Sequence, residues 1–188
     1  GLVTAYLSDD WMERLAFCCE QARTMGTTLW LYDEDRWPSG YGGGQVIREH
    51  PECKSKALCL IGDDGNEDPR ILHVYKTCVR EGRRYHIALC EQKTGNPWYA
   101  DGCYTDLLDP AATDAFLEST HERYRDRLGE YFGREIQGIF SDEFCYSQRA
   151  AYPYPNVPFT RGFEERFRTN RGYALVDVME KLFFDEPG

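Results

Sequence analysis

Two short apolar runs constrain the fold of this chain more than any other feature, because each run stops at a group of carboxylates. Residues 27–32 are β-branched, aromatic or apolar, and the acidic residues 33–35 follow them directly. Residues 136–140 form a second apolar run, and an acidic pair at 142–143 lies just beyond it. Runs of this length and composition are typical of buried strands. The chain is therefore expected to carry two core strands whose carboxyl ends are acidic.

Helical patterns precede and separate these strands, which predicts an α/β fold with a parallel sheet. Ser8 is placed to cap a first helix that ends near Met25. A second, long helix is expected to begin at Pro110 and to end near Phe132. Residues 103–108 are predicted as a third, short core strand. Because parallel strands share one carboxyl edge, the two acidic groups are expected to face the same crevice.

An antiparallel hairpin is predicted to interrupt this alternation, most simply as an excursion from a loop between a strand and a helix, with an edge of a mixed sheet as the alternative. Residues 70–80 and 84–92 have the composition of two strands joined by a tight turn. Three prolines predict an extended loop at residues 151–158. A further helix is expected at residues 159–171 and a short one at residues 175–184.

Composition excludes several classes of function. The formal net charge of −10 argues against a nucleic-acid partner, because phosphates would be repelled. No apolar run approaches the roughly 20 residues that span a bilayer, so no membrane partner is expected. The eight cysteines lack C-x-x-C spacing, and we expect mostly free, buried thiols in the cytoplasm. The aromatic content of 14% suits a carbohydrate ligand, because aromatic rings stack on sugar faces.

Carboxylates that face each other across an aromatic cleft suit acid–base chemistry on a sugar. One carboxyl group can protonate a glycosidic oxygen while others stabilise an oxocarbenium-like transition state. Two alternatives stay open on the residues alone. A non-catalytic carbohydrate-binding domain would keep the cleft without the chemistry. A metal-dependent hydrolase would use Asp33, Asp35 and Asp142 to bind Mg²⁺ or Ca²⁺.

One segment also resembles a known signature. Residues 32–40 read Tyr-Asp-Glu-Asp-Arg-Trp-Pro-Ser-Gly and continue into further glycines. The segment resembles a signature of bacterial glycoside hydrolases in the α-L-rhamnosidase-like group, related to glycosyl hydrolase family 2. The resemblance extends to residues 1–8, 106–110 and 138–143, and it touches most of the chain outside the hairpin.

The resemblance implies a (β/α)₈ barrel, of which this chain would supply about strands 2 to 4 with their helices. Residues 1–188 would form a single partial barrel domain, with residues 62–100 as the hairpin excursion. Eight strands typically need about 250 residues. The rest of the barrel and flanking β-sandwich domains are therefore expected elsewhere in a longer protein.

The resemblance also implies roles for particular residues. Glu143 would be the general acid at the end of the fourth barrel strand, with Asp142 beside it as a second catalytic candidate. The partner carboxylate would come from a later strand. No cofactor is expected, with a Ca²⁺ or Mg²⁺ ion as the alternative. The sugar subsite would be lined by the side chains at the end of the first apolar run, which are Tyr32, Asp33, Glu34, Asp35, Arg36 and Trp37.

Overall fold

The computed structural model of the chain describes residues 3–146 and 151–185. Within them, helices and strands follow one another in a mixed α/β order. The helices are α1 (Asp9–Met25), α2 (Gln45–Glu49), α3 (Pro110–Leu117), α4 (Arg123–Leu128) and α5 (Phe163–Arg171). The strands are β1 (Leu29–Tyr32), β2 (Lys56–Gly62), β3 (Ile71–Arg80), β4 (Arg83–Glu91), β5 (Ile136–Phe140) and β6 (Asn156–Pro158).

Helix α1 has the ends that the sequence predicts. The Ser8 side chain accepts a hydrogen bond from the backbone N–H of Trp11, and Gly26 closes the helix at a φ of 62°. Glycine adopts this left-handed conformation without steric cost. Met12 and Cys19 on the buried face pack into a core cluster with side chains from β1, α4 and β5. The helix thereby covers one face of the two core strands.

Strands β1 and β5 pair in parallel, as the sequence predicts. Leu31 lies opposite Ile139, and Tyr32 lies opposite Phe140. Both strands therefore end at the same edge, and the acidic residues that follow them start from neighbouring positions.

The other face of this strand pair is bare within residues 3–146 and 151–185. Trp30 and Phe140 project to this face and have 65% and 53% of their surface exposed. Gly138 lies opposite Trp30, and a Cβ atom on Gly138 would lie 2.7 Å from the indole ring. Parallel sheets normally have both faces covered. An exposed apolar face on a parallel pair is thus an unusual feature of this fold.

The prediction of a third core strand at residues 103–108 is wrong. The segment instead bonds to the loop before β2, where the Ser55 N–H donates to Tyr104 O at 2.8 Å. The carboxylate of Asp106 is buried and lies 3.2 Å from Lys56 Nζ. A buried carboxylate needs hydrogen-bond donors or an opposite charge. This ion pair holds the segment against β2, away from the parallel pair.

The predicted hairpin is confirmed as β3 and β4, with its turn at Glu81 and Gly82, both at positive φ. It belongs to a larger antiparallel sheet with the strand order β3-β4-β2-β6. The sequence analysis did not identify β2, which is buried on both faces, although residues 57–61 form a continuous apolar run of the kind that predicted β1 and β5. Residues 151–158, predicted as an extended loop, contribute β6 to the edge of this sheet.

The long helix predicted from Pro110 is confirmed, with irregular turns. A π-helical turn, Glu118–Glu122, joins α3 to α4, and a 3₁₀ turn, Gly129–Tyr131, ends the segment. The predictions for the end of the chain are less accurate. Helix α5 begins later than predicted, at Phe163, and residues 175–184 form 3₁₀ turns instead of a short α-helix. Among the helices described, none combines the length and apolarity needed to cross a bilayer.

Candidate functional site

Hydroxyl groups tie together the carboxyl ends of β1 and β5. Ser39 Oγ donates a hydrogen bond to Asp33 Oδ1 at 2.6 Å and accepts one from the Asp142 N–H at 2.9 Å. Ser141 Oγ donates to the second carboxylate oxygen of Asp33. Asp33 is fully buried, so these hydroxyls satisfy its carboxylate in place of water. The two acidic groups thus share one edge, as parallel pairing predicts.

Glu34 lies in a cradle of backbone amides. Its Oε2 accepts hydrogen bonds from the N–H groups of residues 40–42 at 2.7 to 3.2 Å. Its Oε1 accepts from the N–H groups of Asp35 and Gly43 at 2.9 and 2.5 Å. Burial raises the pKa of Glu34 to about 7, and these N–H donors oppose the rise. The side chain therefore anchors the glycine-rich loop and does not face solvent.

Asp35 and Arg36 form an ion pair at the rim of the site, with 2.7 Å between Oδ2 and Nη2. The Arg36 guanidinium lies 6.0 Å from the ring centroid of Trp98, at the outer limit of a cation–π contact. Both members of the pair line a recess of about 310 Å³ that also includes Arg48. A guanidinium and a carboxylate at such a recess can both bind ligand hydroxyl groups.

Glu143 and two indoles form the exposed part of the site. Trp37 Nε1–H donates to Glu143 Oε2 at 3.4 Å, and Trp98 Nε1–H donates to the Trp37 carbonyl at 2.6 Å. The two indole side chains are 45% and 48% exposed. An accessible carboxylate beside aromatic faces can exchange a proton with a ligand that stacks on those faces.

Asp142 is half-buried, whereas Asp33 is fully buried and Glu143 is exposed. Its Oδ2 accepts a hydrogen bond from the Tyr32 hydroxyl at 3.3 Å, and its Oδ1 accepts from the Glu143 N–H at 2.8 Å. Burial raises the pKa of Tyr32 to about 12, and the nearby Asp142 carboxylate adds to the rise. The phenol therefore keeps its proton at neutral pH and remains a donor. Two donors thus fix the orientation of this carboxylate.

Sequence reasoning missed several residues that shape the site. Ser39 and Ser141 both lie inside the segments that carry the resemblance, and hydroxyls next to acids at strand ends were the available signal. His121 lies in the turn between α3 and α4, and its Nε2 is 3.6 Å from Asp33 Oδ2. Burial lowers the pKa of His121, while the Asp33 charge opposes the change. From sequence alone, a histidine on an apolar helix face is indistinguishable from a simple packing residue.

The carboxylates considered as metal ligands each contact a protein group. Asp33 accepts from two serines, Asp35 pairs with Arg36, and Asp142 accepts from Tyr32. Within the described ranges, no group of three histidine, cysteine, aspartate or glutamate side chains is arranged to hold a metal ion.

Fold and site together define a mixed α/β protein whose parallel strand pair carries acidic and aromatic side chains at its carboxyl edge. No protein family, curated protein or solved structure matches the chain.

Proposed function

We propose that this chain belongs to the catalytic region of a glycoside hydrolase, with Glu143 as the general acid. The observation that carries the proposal is the exposed Glu143 carboxylate at the end of β5, in contact with the half-exposed Trp37 indole. A sugar stacked on an indole has its glycosidic oxygen at its edge, where a neighbouring carboxyl group can reach it. The resemblance to α-L-rhamnosidase-like hydrolases supports the same assignment.

In this proposal, Glu143 transfers its proton to the leaving oxygen as the bond to the anomeric carbon breaks. Trp37 orients the Glu143 carboxyl group through its N–H. Asp142, held by Tyr32, and the Asp35–Arg36 pair bind sugar hydroxyls and favour the positive charge that develops on the ring. A second carboxylate, as base or nucleophile, would come from a later strand of the protein.

We further propose that the β1–β5 pair is part of a (β/α)₈ barrel, with the antiparallel sheet as an insertion between two barrel strands. Two features support this: the parallel pairing and the bare apolar face that carries Trp30 and Phe140. In a barrel that face would turn to the packed interior. The remaining strands and the flanking β-sandwich domains would be supplied by a longer protein. Buried thiols such as Cys59 and Cys90 support a reducing, cytoplasmic setting.

The test is the Glu143→Gln variant of the natural protein, assayed on aryl glycosides of several sugars. Glutamine keeps the shape of the side chain but has no proton to transfer. We expect kcat/KM to fall by about 10²- to 10⁴-fold on glycosides with poor leaving groups. The loss should be much smaller on dinitrophenyl glycosides, because that leaving group departs without protonation.

The matched control is Glu13→Gln, at an exposed glutamate on α1, which should leave both rates unchanged. Wild-type rates in Glu143→Gln would refute the acid assignment. An equal loss on both kinds of leaving group would show that Glu143 positions the substrate without protonating it. Sugar binding without any hydrolysis by the wild-type protein would favour the carbohydrate-binding domain instead.

A further inference from the structure

A second, smaller pocket lies beside the proposed acid, between α3 and the segment that follows β5. It encloses about 210 Å³. An apolar cavity of about 150 Å³ is known to bind benzene, so this volume suits a single six-membered ring. The walls are mainly apolar or aromatic, with Thr113, His121 and Ser141 as polar residues among them, and also include Phe116, Leu117, Phe144 and Tyr146.

Ser141 and the neutral His121 offer acceptors to this pocket, because each directs its proton to another protein group. Ser141 Oγ donates to Asp33, so only its lone pairs remain for a ligand. Thr120 Oγ1 donates to Phe116 O at 2.7 Å, and it therefore accepts from His121 Nδ1 at 2.9 Å. In the neutral imidazole, Nε2 is then the acceptor.

The Asp33 carboxylate strengthens this preference for a donor. His121 Nε2 and Asp33 Oδ2 face each other at 3.6 Å, and both are acceptors while the imidazole is neutral. Thr113, another lining residue, also directs its hydroxyl to a backbone carbonyl, that of Asp109, at 3.4 Å. A ligand in this pocket must therefore bring its own hydrogen-bond donor to the Ser141 and His121 end.

We propose that this pocket binds a phenol-like group, an aromatic ring with one hydroxyl donor, between the Phe116–Leu117 wall and the Phe144–Tyr146 wall. The ring would pack edge to face against the aromatic side chains. The hydroxyl would donate to Ser141 Oγ or His121 Nε2. Neither the resemblance nor the proposed acid chemistry assigns a role to this pocket.

The position of the pocket also indicates a role for the bound ring, and this role rests on the proposed function. Ser141 and Phe144, which line the pocket, flank Asp142 and Glu143 in the chain. The phenolic ring would be a substituent of the leaving group that Glu143 protonates. The substrate class would then be glycosides of hydroxylated aromatic compounds.

The experiment measures phenol binding to the natural protein by the ¹H–¹³C signals of its histidine rings. Residues 1–188 contribute four histidine signals, and the signal lost in His121→Gln identifies His121. We expect phenol to shift that signal saturably, with a Kd on the order of 1 mM for so small a ligand. Anisole, which lacks the donor, and cyclohexanol, which lacks the aromatic ring, should each bind at least about fivefold more weakly.

Two matched substitutions locate the binding. Phe144→Ala removes an exposed wall of the pocket and should weaken phenol binding at least about fivefold, because the ring loses apolar contact area. Phe17→Ala removes another exposed phenylalanine, from α1, and should leave binding unchanged. Leu117→Glu, also at an exposed wall residue, repeats the test at a second position.

No saturable shift of the His121 signal, or equal affinity for all three probes, would overturn the proposal. Equal weakening by Phe17→Ala would overturn the location. Phenol binding requires no glycosidic bond and no catalysis, so its outcome is independent of the Glu143→Gln measurement. A protein that binds phenol but hydrolyses no glycoside would keep the pocket and refute the proposed function.

Discussion

At the scale of single residues, burial and backbone amides together control the carboxyl group of Glu34. Five backbone N–H groups converge on a carboxyl group that is 2% exposed. Replacing such an acceptor leaves several buried donors unpaired, at about 1–3 kcal/mol for each one that finds no water. Glu34 therefore determines the path of the loop that brings Trp37 toward Glu143.

The raised pKa of Glu34 predicts a specific pH dependence of stability. Its pKa is about 7 in the folded chain against 4.5 for the free side chain, so the folded state binds more protons between these values. The free energy of unfolding should therefore fall as the pH rises from about 4.5 to about 7. Relative to Glu34→Gln, which does not titrate, the wild type should lose up to about 3 kcal/mol over this interval.

Urea unfolding of both proteins at pH 5 and pH 8 measures this difference. Subtracting the Gln variant removes the contributions of all other titrating groups. A difference that stays constant across the interval would mean that the five N–H donors keep Glu34 ionised throughout, and it would contradict the prediction.

At the scale of elements, the loop between β1 and α2 is held from both sides. Tyr104 Oη donates to Ser39 O at 2.6 Å and accepts from the Cys145 N–H at 3.1 Å. Gly40 lies directly against this hydroxyl and against Leu107. The loop therefore has no room for a larger residue at position 40. This explains the glycine in residues 32–40, the segment that carries the resemblance.

The substitution Gly40→Ala tests this packing. A Cβ atom there would lie 2.8 Å from Tyr104 Oη and would also overlap Leu107, in a backbone with a φ of 123°. Gly95→Ala is the matched control, because Gly95 has a φ of 97° but no atom within 4 Å of the added carbon. Both variants carry backbone strain, and only Gly40→Ala adds the overlap. We expect Gly40→Ala to cost about 1–3 kcal/mol more in denaturant unfolding. Equal costs would show that the loop relaxes freely.

At the scale of the whole molecule, the bare face of the β1–β5 pair is the dominant feature. Trp30 and Phe140 lie on the same face of a two-stranded parallel sheet, and β1 and β5 pair only with each other among the described strands. Such a face and its unpaired strand edges favour association with further strands.

Residues 1–188 produced alone should therefore associate with one another in a concentration-dependent way. The double variant Trp30→Ser, Phe140→Ser should shift sedimentation toward the monomer, because it removes the apolar side chains of the bare face. Phe17→Ser with Val79→Ser removes two equally exposed apolar side chains elsewhere and should leave association unchanged. A wild-type chain that stays monomeric at high concentration would argue against this face as an interface.

Local patterns predicted much of the fold. The caps of α1, the start of the long helix at Pro110, the hairpin and the β1–β5 strands follow from signals within a few residues of each element. Prediction failed where contacts between residues far apart in the chain determine the local structure. Residues 103–108 look like a core strand, but a buried ion pair with Lys56 holds them against the second sheet. Strand β2 was missed although residues 57–61 form a continuous apolar run like those that predicted β1 and β5.

The sequence by itself determined the elements and the edge at which the acids meet, because strand composition and parallel pairing are encoded locally. Only the tertiary structure decided what each acid does. Burial and backbone amides make Glu34 an anchor, hydroxyls from two loops enclose Asp33, and exposure leaves Glu143 accessible. These differences depend on neighbours far apart in the chain, and adjacent carboxylates in one acidic run therefore carry no local sign of them.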